Sequence, residues 1–134
     1  MKRNILSVII GLVAAVAIFT LAETINSSLH PAPADLNIED PAAVKAFYQS
    51  QPLSLWLLVL SGWVLGSLAC GFLIKLVSKS DRKQLPIIAG GVLTLSAVAN
   101  FFLIPHPTWF VVTGLLVFIP STLLGHTLYR STPS

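Results

Sequence analysis

The chain predicts an all-α, polytopic membrane protein, a bundle of four transmembrane helices with a short outer amphipathic helix in its first loop. Three observations carry this expectation. Hydrophobic residues make up 54% and charged residues only 10% of the 134 residues, and the mean hydropathy is +0.83. Soluble domains carry about 25% charge, so this composition suits a bilayer as solvent. Four apolar runs reach membrane length, about 20 residues. Finally, Lys2, Arg3, Lys75, Lys79, Arg82, Lys83 and Arg130 gather at one set of segment ends, leaving Lys45 alone on the other. That asymmetry is the positive-inside pattern. It predicts a bacterial inner (plasma) membrane protein with both termini cytoplasmic and the loop 27–52 outside. It also accounts for the formal charge of +3 and the pI near 9.4 without a nucleic-acid partner.

The first span is expected over about residues 5–25. Lys2 and Arg3 before an apolar run resemble a secretory leader. The run from Ile5 to Ala22 is long for a leader, however, and Thr20-Leu21-Ala22 is a poor cleavage site. It reads as a retained helix. Ser7, Gly11, Ala14, Ala15, Ala22 and Asn26 fall on one helical face, a small-residue stripe suited to close packing. Glu23 is the only carboxylate in or beside a membrane-length run; Asp35, Glu39, Asp40 and Asp81 lie in connections. An ionisable group there is a functional candidate because desolvating it is costly. The distance from Ile5 to Glu23 is roughly 27 Å of helix, which places Glu23 near the far rim of the hydrocarbon. A purely structural role, reaching interfacial water or capping a neighbouring helix, fits that position equally well.

Residues 27–52 form the long connection. Ser27 to Ala34 reads as a turn-rich segment. Asp40-Pro41 supplies an N-cap and a first-turn proline, and Ala42 to Gln49 can form about two turns with Val44, Phe47 and Tyr48 on one side. Asn26-Ser27-Ser28 matches a glycosylation sequon, but it abuts the membrane.

The second span is expected over 53–77, with Trp56 as an interfacial aromatic. Gly62, Gly66 and Cys70 recur every four residues and invite close helix approach, within the bundle or in a dimer. Cys70 is the single cysteine, set in an apolar run, and reads as a packing residue. Lys75 is placed to snorkel to headgroups, and 78–84 is a basic turn. The third span, 86–104, begins at Pro86 and carries Gly90, Thr94 and Ala97 on one face and Asn100 near its end. Pro105-His106-Pro107 forces a tight turn. The fourth span, 109–128, has Trp109 at the interface, Gly114, Ser121 and Gly125 on a stripe, and Pro120 as a kink.

Under this topology five polar residues fall on the outer side: Glu23, Asn26, His30, Asn100 and His106. The best functional reading is a binding or interaction module. Glu23 and Asn100 would hold a polar head group of a small amphipathic ligand, His106 would assist, and the outer helix would act as a lid. Its partners would be the bilayer and either a second copy or another membrane protein. The alternative is a proton-coupled transporter, with Glu23 as proton carrier, dimerising through the Gly62/Gly66 face. A membrane enzyme pairing Glu23 with His106 as acid and base on a lipid-like substrate is third. No cofactor is expected, nor a metal: Glu23, His30 and His106 lack the short-range spacing of a metal motif. Nucleophile elbow, phosphate loop, CxxC and HExxH are all missing from the sequence.

The plan resembles that of the many small four-span bacterial inner-membrane proteins along the whole chain. Ala22-Glu23-Thr24-Ile25 is also similar to the start of a signature in the small multidrug resistance family, whose essential glutamate lies in its first helix. That resemblance implies proton-coupled exchange at Glu23. Glu23 differs in lying near the rim rather than mid-membrane, and the 27–52 connection is longer than that family's loops.

Overall fold

The computed structural model describes residues 2–129 and is all-helical among them. The helices are α1 (Lys2–Leu29), α2 (Pro41–Gln49), α3 (Leu53–Ser78), α4 (Gln84–Leu103) and α5 (Thr108–Leu128). All but α2 are long and apolar enough to cross a membrane, so the chain is a multi-pass membrane helical bundle. Arg130 and the polar tail lie outside the described residues.

α1 outruns its expected end by a full turn. Thr24 Oγ1 donates to the Thr20 carbonyl and Ser28 Oγ to that of Thr24, at 2.8 and 3.0 Å, so the hydroxyls that suggested a turn are satisfied inside the helix. The helix stops at His30, whose N–H still reaches the Asn26 carbonyl at 2.8 Å, because Pro31 disfavours helical backbone at the residue before it. The outer helix forms as its caps dictate. Asp40 Oδ1 accepts from the Ala42 N–H at 3.1 Å, Pro41 occupies the first turn, and Ser50 closes the other end. Val44, Phe47 and Tyr48 are half-buried while Lys45 is exposed.

α3 is the centre of the bundle. α1 packs along one side of it and α5 along another, α4 lies against α5, and α4 meets α1 and α3 over shorter stretches. Small residues set both principal seams. On the α1 side, a Cβ at Gly62 would come within 2.5 Å of the Ala22 methyl, and one at Gly66 within 2.5 Å of the Phe19 ring. The Gly62/Gly66 face is therefore packed against α1 of the same chain, the within-bundle use of the two expected of it. Cys70 belongs to the same seam, fully buried beside Gly11. On the α5 side, backbone meets backbone: a Cβ at Gly71 would strike the Thr122 carbonyl, and one at Gly125 the Leu68 carbonyl. Apolar side chains between the seams face outward, among them Val13, Leu65, Leu95, Leu116 and Phe102. In a bilayer these are lipid-facing, which is why a hydrophobic exterior is compatible with a buried core of small residues.

Two further expectations are revised. Trp56 is only 5% exposed, so it is a core residue and no interfacial anchor, whereas Trp109 is 41% exposed. Lys75 is buried and paired with Asp81. The basic turn folds back and supplies a carboxylate within reach, so the ammonium does not extend to the headgroups. Lys79 ends α3 in the left-handed region at φ 54°, its N–H bonding the Lys75 carbonyl at 2.8 Å. α5 continues as a helix through Pro120.

Candidate functional site

At the end of the bundle opposite the basic turn, Glu23, Asn26, His30, Asn100 and His106 line a single cavity of about 360 Å³. Each arrives there for a local reason. Glu23, Asn26, Ser27 and His30 recur at helical spacing along one face of α1, and the last of these reach the cavity only because α1 has its extra turn. Asn100 comes from the final turn of α4. His106 is held by the proline-flanked turn between α4 and α5. Phe47 and Tyr48 of α2 border the opening, and Leu55, Trp56 and Val59 of α3 provide the apolar wall.

The polar groups are oriented by the backbone around them. Asn26, 8% exposed, donates Nδ2 to the Leu55 carbonyl at 3.4 Å. Its Oδ1 is thereby turned toward His30, which donates Nδ1–H to it at 3.0 Å. His106 donates Nδ1–H to the Ile104 carbonyl at 2.6 Å. Burial pushes the His106 imidazole below its ordinary range, opposed in part by that backbone bond. Glu23 is exposed, on the rim shared by the cavity and a polar strip of α1 formed by Thr20, Thr24, Ser27 and Ser28.

Below the polar rim lies an aromatic column that the sequence did not reveal. Tyr48 packs on Trp56 at 6.1 Å between ring centroids, and Trp56 meets His106 and Phe110 at 5.3 Å each. Phe110 and Phe118 flank Trp63 at 5.0 and 5.1 Å. These rings come from four segments, and no spacing within one segment foretells such a stack. Tyr48, Trp56 and His106 also divide the cavity from a neighbouring one of about 600 Å³, where Lys45 lies. α2 is thus attached to the bundle through Tyr48.

Although Glu23, His30 and His106 border one cavity, no three His, Cys, Asp or Glu side chains among the described residues gather closely enough to hold a metal ion. What the arrangement offers is a half-open polar pocket with an aromatic floor. Compared with known family models, curated protein sequences and solved structures, the chain matches none.

Proposed function

We propose that this protein is a binding module of the bacterial inner membrane, whose outer-leaflet cavity takes up one small amphipathic molecule. In this reading the basic end, with Arg3, Lys75, Lys79, Arg82 and Lys83, faces the cytoplasm, and α2 lies on the outer surface as a lid. The observation that carries it is the meeting of five polar side chains from three segments over a wall of Leu55, Trp56 and Val59. A pocket with polar groups on one side and apolar groups on the other matches an amphiphile's two halves. Its volume of about 360 Å³ is near the lower limit of ordinary ligand pockets, about 300 Å³, so the ligand is small.

Because Cys70 is the single native cysteine and is buried, an Asn100→Cys variant places one accessible thiol in the cavity. A membrane-impermeant maleimide should label it from outside intact cells. Butyl- or hexyl-chain amphiphiles should slow that labelling saturably. Labelling from the inner side only would reverse the topology. No protection by ammonium, carboxylate or alcohol probes alike would remove the binding reading. Proton-driven uptake of a probe into vesicles that depends on Glu23 would convert binding into transport.

A further inference from the structure

We infer that the cavity is built for a primary ammonium head group, a cation that donates N–H hydrogen bonds, carried on a short apolar tail. This rests on the binding reading above and adds the chemistry of the head.

The argument starts from which hydrogen-bonding roles remain open. In a neutral imidazole one ring nitrogen donates and the other accepts. His30 and His106 each use Nδ1 against an oxygen that can only accept, the Asn26 amide oxygen and the Ile104 carbonyl. Both rings therefore carry their proton on Nδ1 when neutral, and each leaves Nε2 as an acceptor. Neither Nε2 takes a hydrogen bond from another described residue. Burial of His106 reinforces its neutral form. The Asn26 amide already spends one of its two Nδ2 N–H groups on the Leu55 carbonyl and its Oδ1 on His30. Glu23 adds a carboxylate, an acceptor only, and it is the only side chain of fixed charge in the lining. Lys45 borders the adjoining cavity, on the other side of Tyr48, Trp56 and His106.

The lining thus carries one negative charge and no cation, with Asn100 and the hydroxyls of Ser27 and Tyr48 as groups that can either donate or accept. An anion would face the Glu23 carboxylate and two acceptor nitrogens with no cation in the lining to offset them, only neutral donors. A quaternary ammonium would satisfy the charge but leave the acceptors without donors. A primary ammonium has three N–H groups, one for the Glu23 carboxylate and the others for an imidazole Nε2 or a hydroxyl oxygen of the lining, and its positive charge suits a lining that includes the rings of Trp56 and Tyr48. The tail then lies along Leu55 and Val59.

The test uses the full chain in phosphatidylcholine nanodiscs with ¹⁵N-labelled histidine. Butylammonium, butyltrimethylammonium, butyrate and butan-1-ol are titrated, with tryptophan fluorescence for affinity and imidazole nitrogen resonances for contact. Butylammonium should bind about tenfold or more tightly than the other three, the worth of one charge-assisted hydrogen bond, and should shift the Nε2 signal of His30 or His106. Glu23→Gln, at an exposed position, should keep the melting temperature and weaken butylammonium alone by a similar factor. Equal affinity for butylammonium and butyltrimethylammonium, or a preference for butyrate, would overturn the head-group assignment while leaving the cavity as a binding site. Binding of none of the four would overturn both.

Discussion

The two ends of the bundle solve opposite problems. At the basic end several polar groups are spent on other parts of the protein. Arg3 Nε donates to the Val77 carbonyl at 2.8 Å, His126 Nε2 to the Ser80 carbonyl at 3.0 Å, and Thr122 Oγ1 to the Pro86 carbonyl at 2.8 Å. Lys75 pairs with Asp81 across the turn, and that bond together with the Lys75 charge holds the Asp81 carboxyl below the usual carboxylate range. Each of these contacts ties a different pair of segments, and Gly71 and Gly125 let α3 and α5 close to backbone distance beneath them. At the opposite end, Asn26, His30 and His106 satisfy one side of themselves against backbone or each other and leave the other side open. These side chains keep hydrogen-bonding capacity facing the cavity that their partners within the chain do not use up. One end is closed by contacts within the chain; the other holds an open cavity.

The largest expected effect comes from breaking the closed end. Gly125→Leu drives a side chain into the Leu68 carbonyl, where relief requires separating α3 from α5. Overpacking of a core costs about 1–3 kcal/mol even when side chains can yield, and here backbone cannot. The variant should melt far below wild type or fail to give a monodisperse protein in detergent, and an unchanged melting temperature would show the seam to be loose.

A smaller and more diagnostic effect is expected at the ion pair. Asp81→Asn leaves the Lys75 ammonium buried without its counter-charge, whereas Lys75→Met removes the buried charge and leaves a solvated carboxylate. Asp81→Asn should therefore lower the melting temperature more than Lys75→Met. The reverse order would mean that Lys75 escapes to the headgroups after all.

At the cavity end the expected dependence is on pH. Burial lowers the folded-state pKa of His106 below its ordinary value of 6.5. Between the two values the unfolded chain binds more protons, so stability rises with pH across that window. The contribution is complete above about pH 6.5 and is lost as the pH falls below it. His106→Phe keeps a ring against Trp56 and Phe110 and should flatten the slope of melting temperature below about pH 6.5. A slope that survives belongs to another group.

The smallest effect sharpens the contrast most. Glu23 is exposed and makes no ion pair among the described residues. Glu23→Gln should change stability by no more than about 0.5 kcal/mol, as surface substitutions do. A clear loss of stability would assign Glu23 to the scaffold rather than to the site.

The four spans and the caps of α2 were legible because hydropathy and capping are local. A run such as Leu53–Val77 declares its solvent from composition alone, and Asp40-Pro41 fixes a helix start within two residues. The end of α1 falls later than expected because Ser27 and Ser28 favour turns in water, while in this helix Ser28 bonds to the Thr24 carbonyl and the helix continues to Leu29. Trp56 was misread for a related reason. Near the end of a span a tryptophan ordinarily marks the interface, and only the arrival of Tyr48, His106 and Phe110 from elsewhere makes it core.

By itself, then, the sequence determined an all-helical membrane bundle, its segment boundaries to within a turn, its basic end, and a short list of polar residues toward the other end. Tertiary structure alone decided that the Gly62/Gly66 face serves α1, that Lys75 turns to Asp81, and that five polar groups meet over an aromatic floor. Apolar periodicity and capping depend on neighbours a few residues away. Convergence depends on which faces of α1, α3, α4 and α5 meet, and that is settled by packing between residues far apart in the chain.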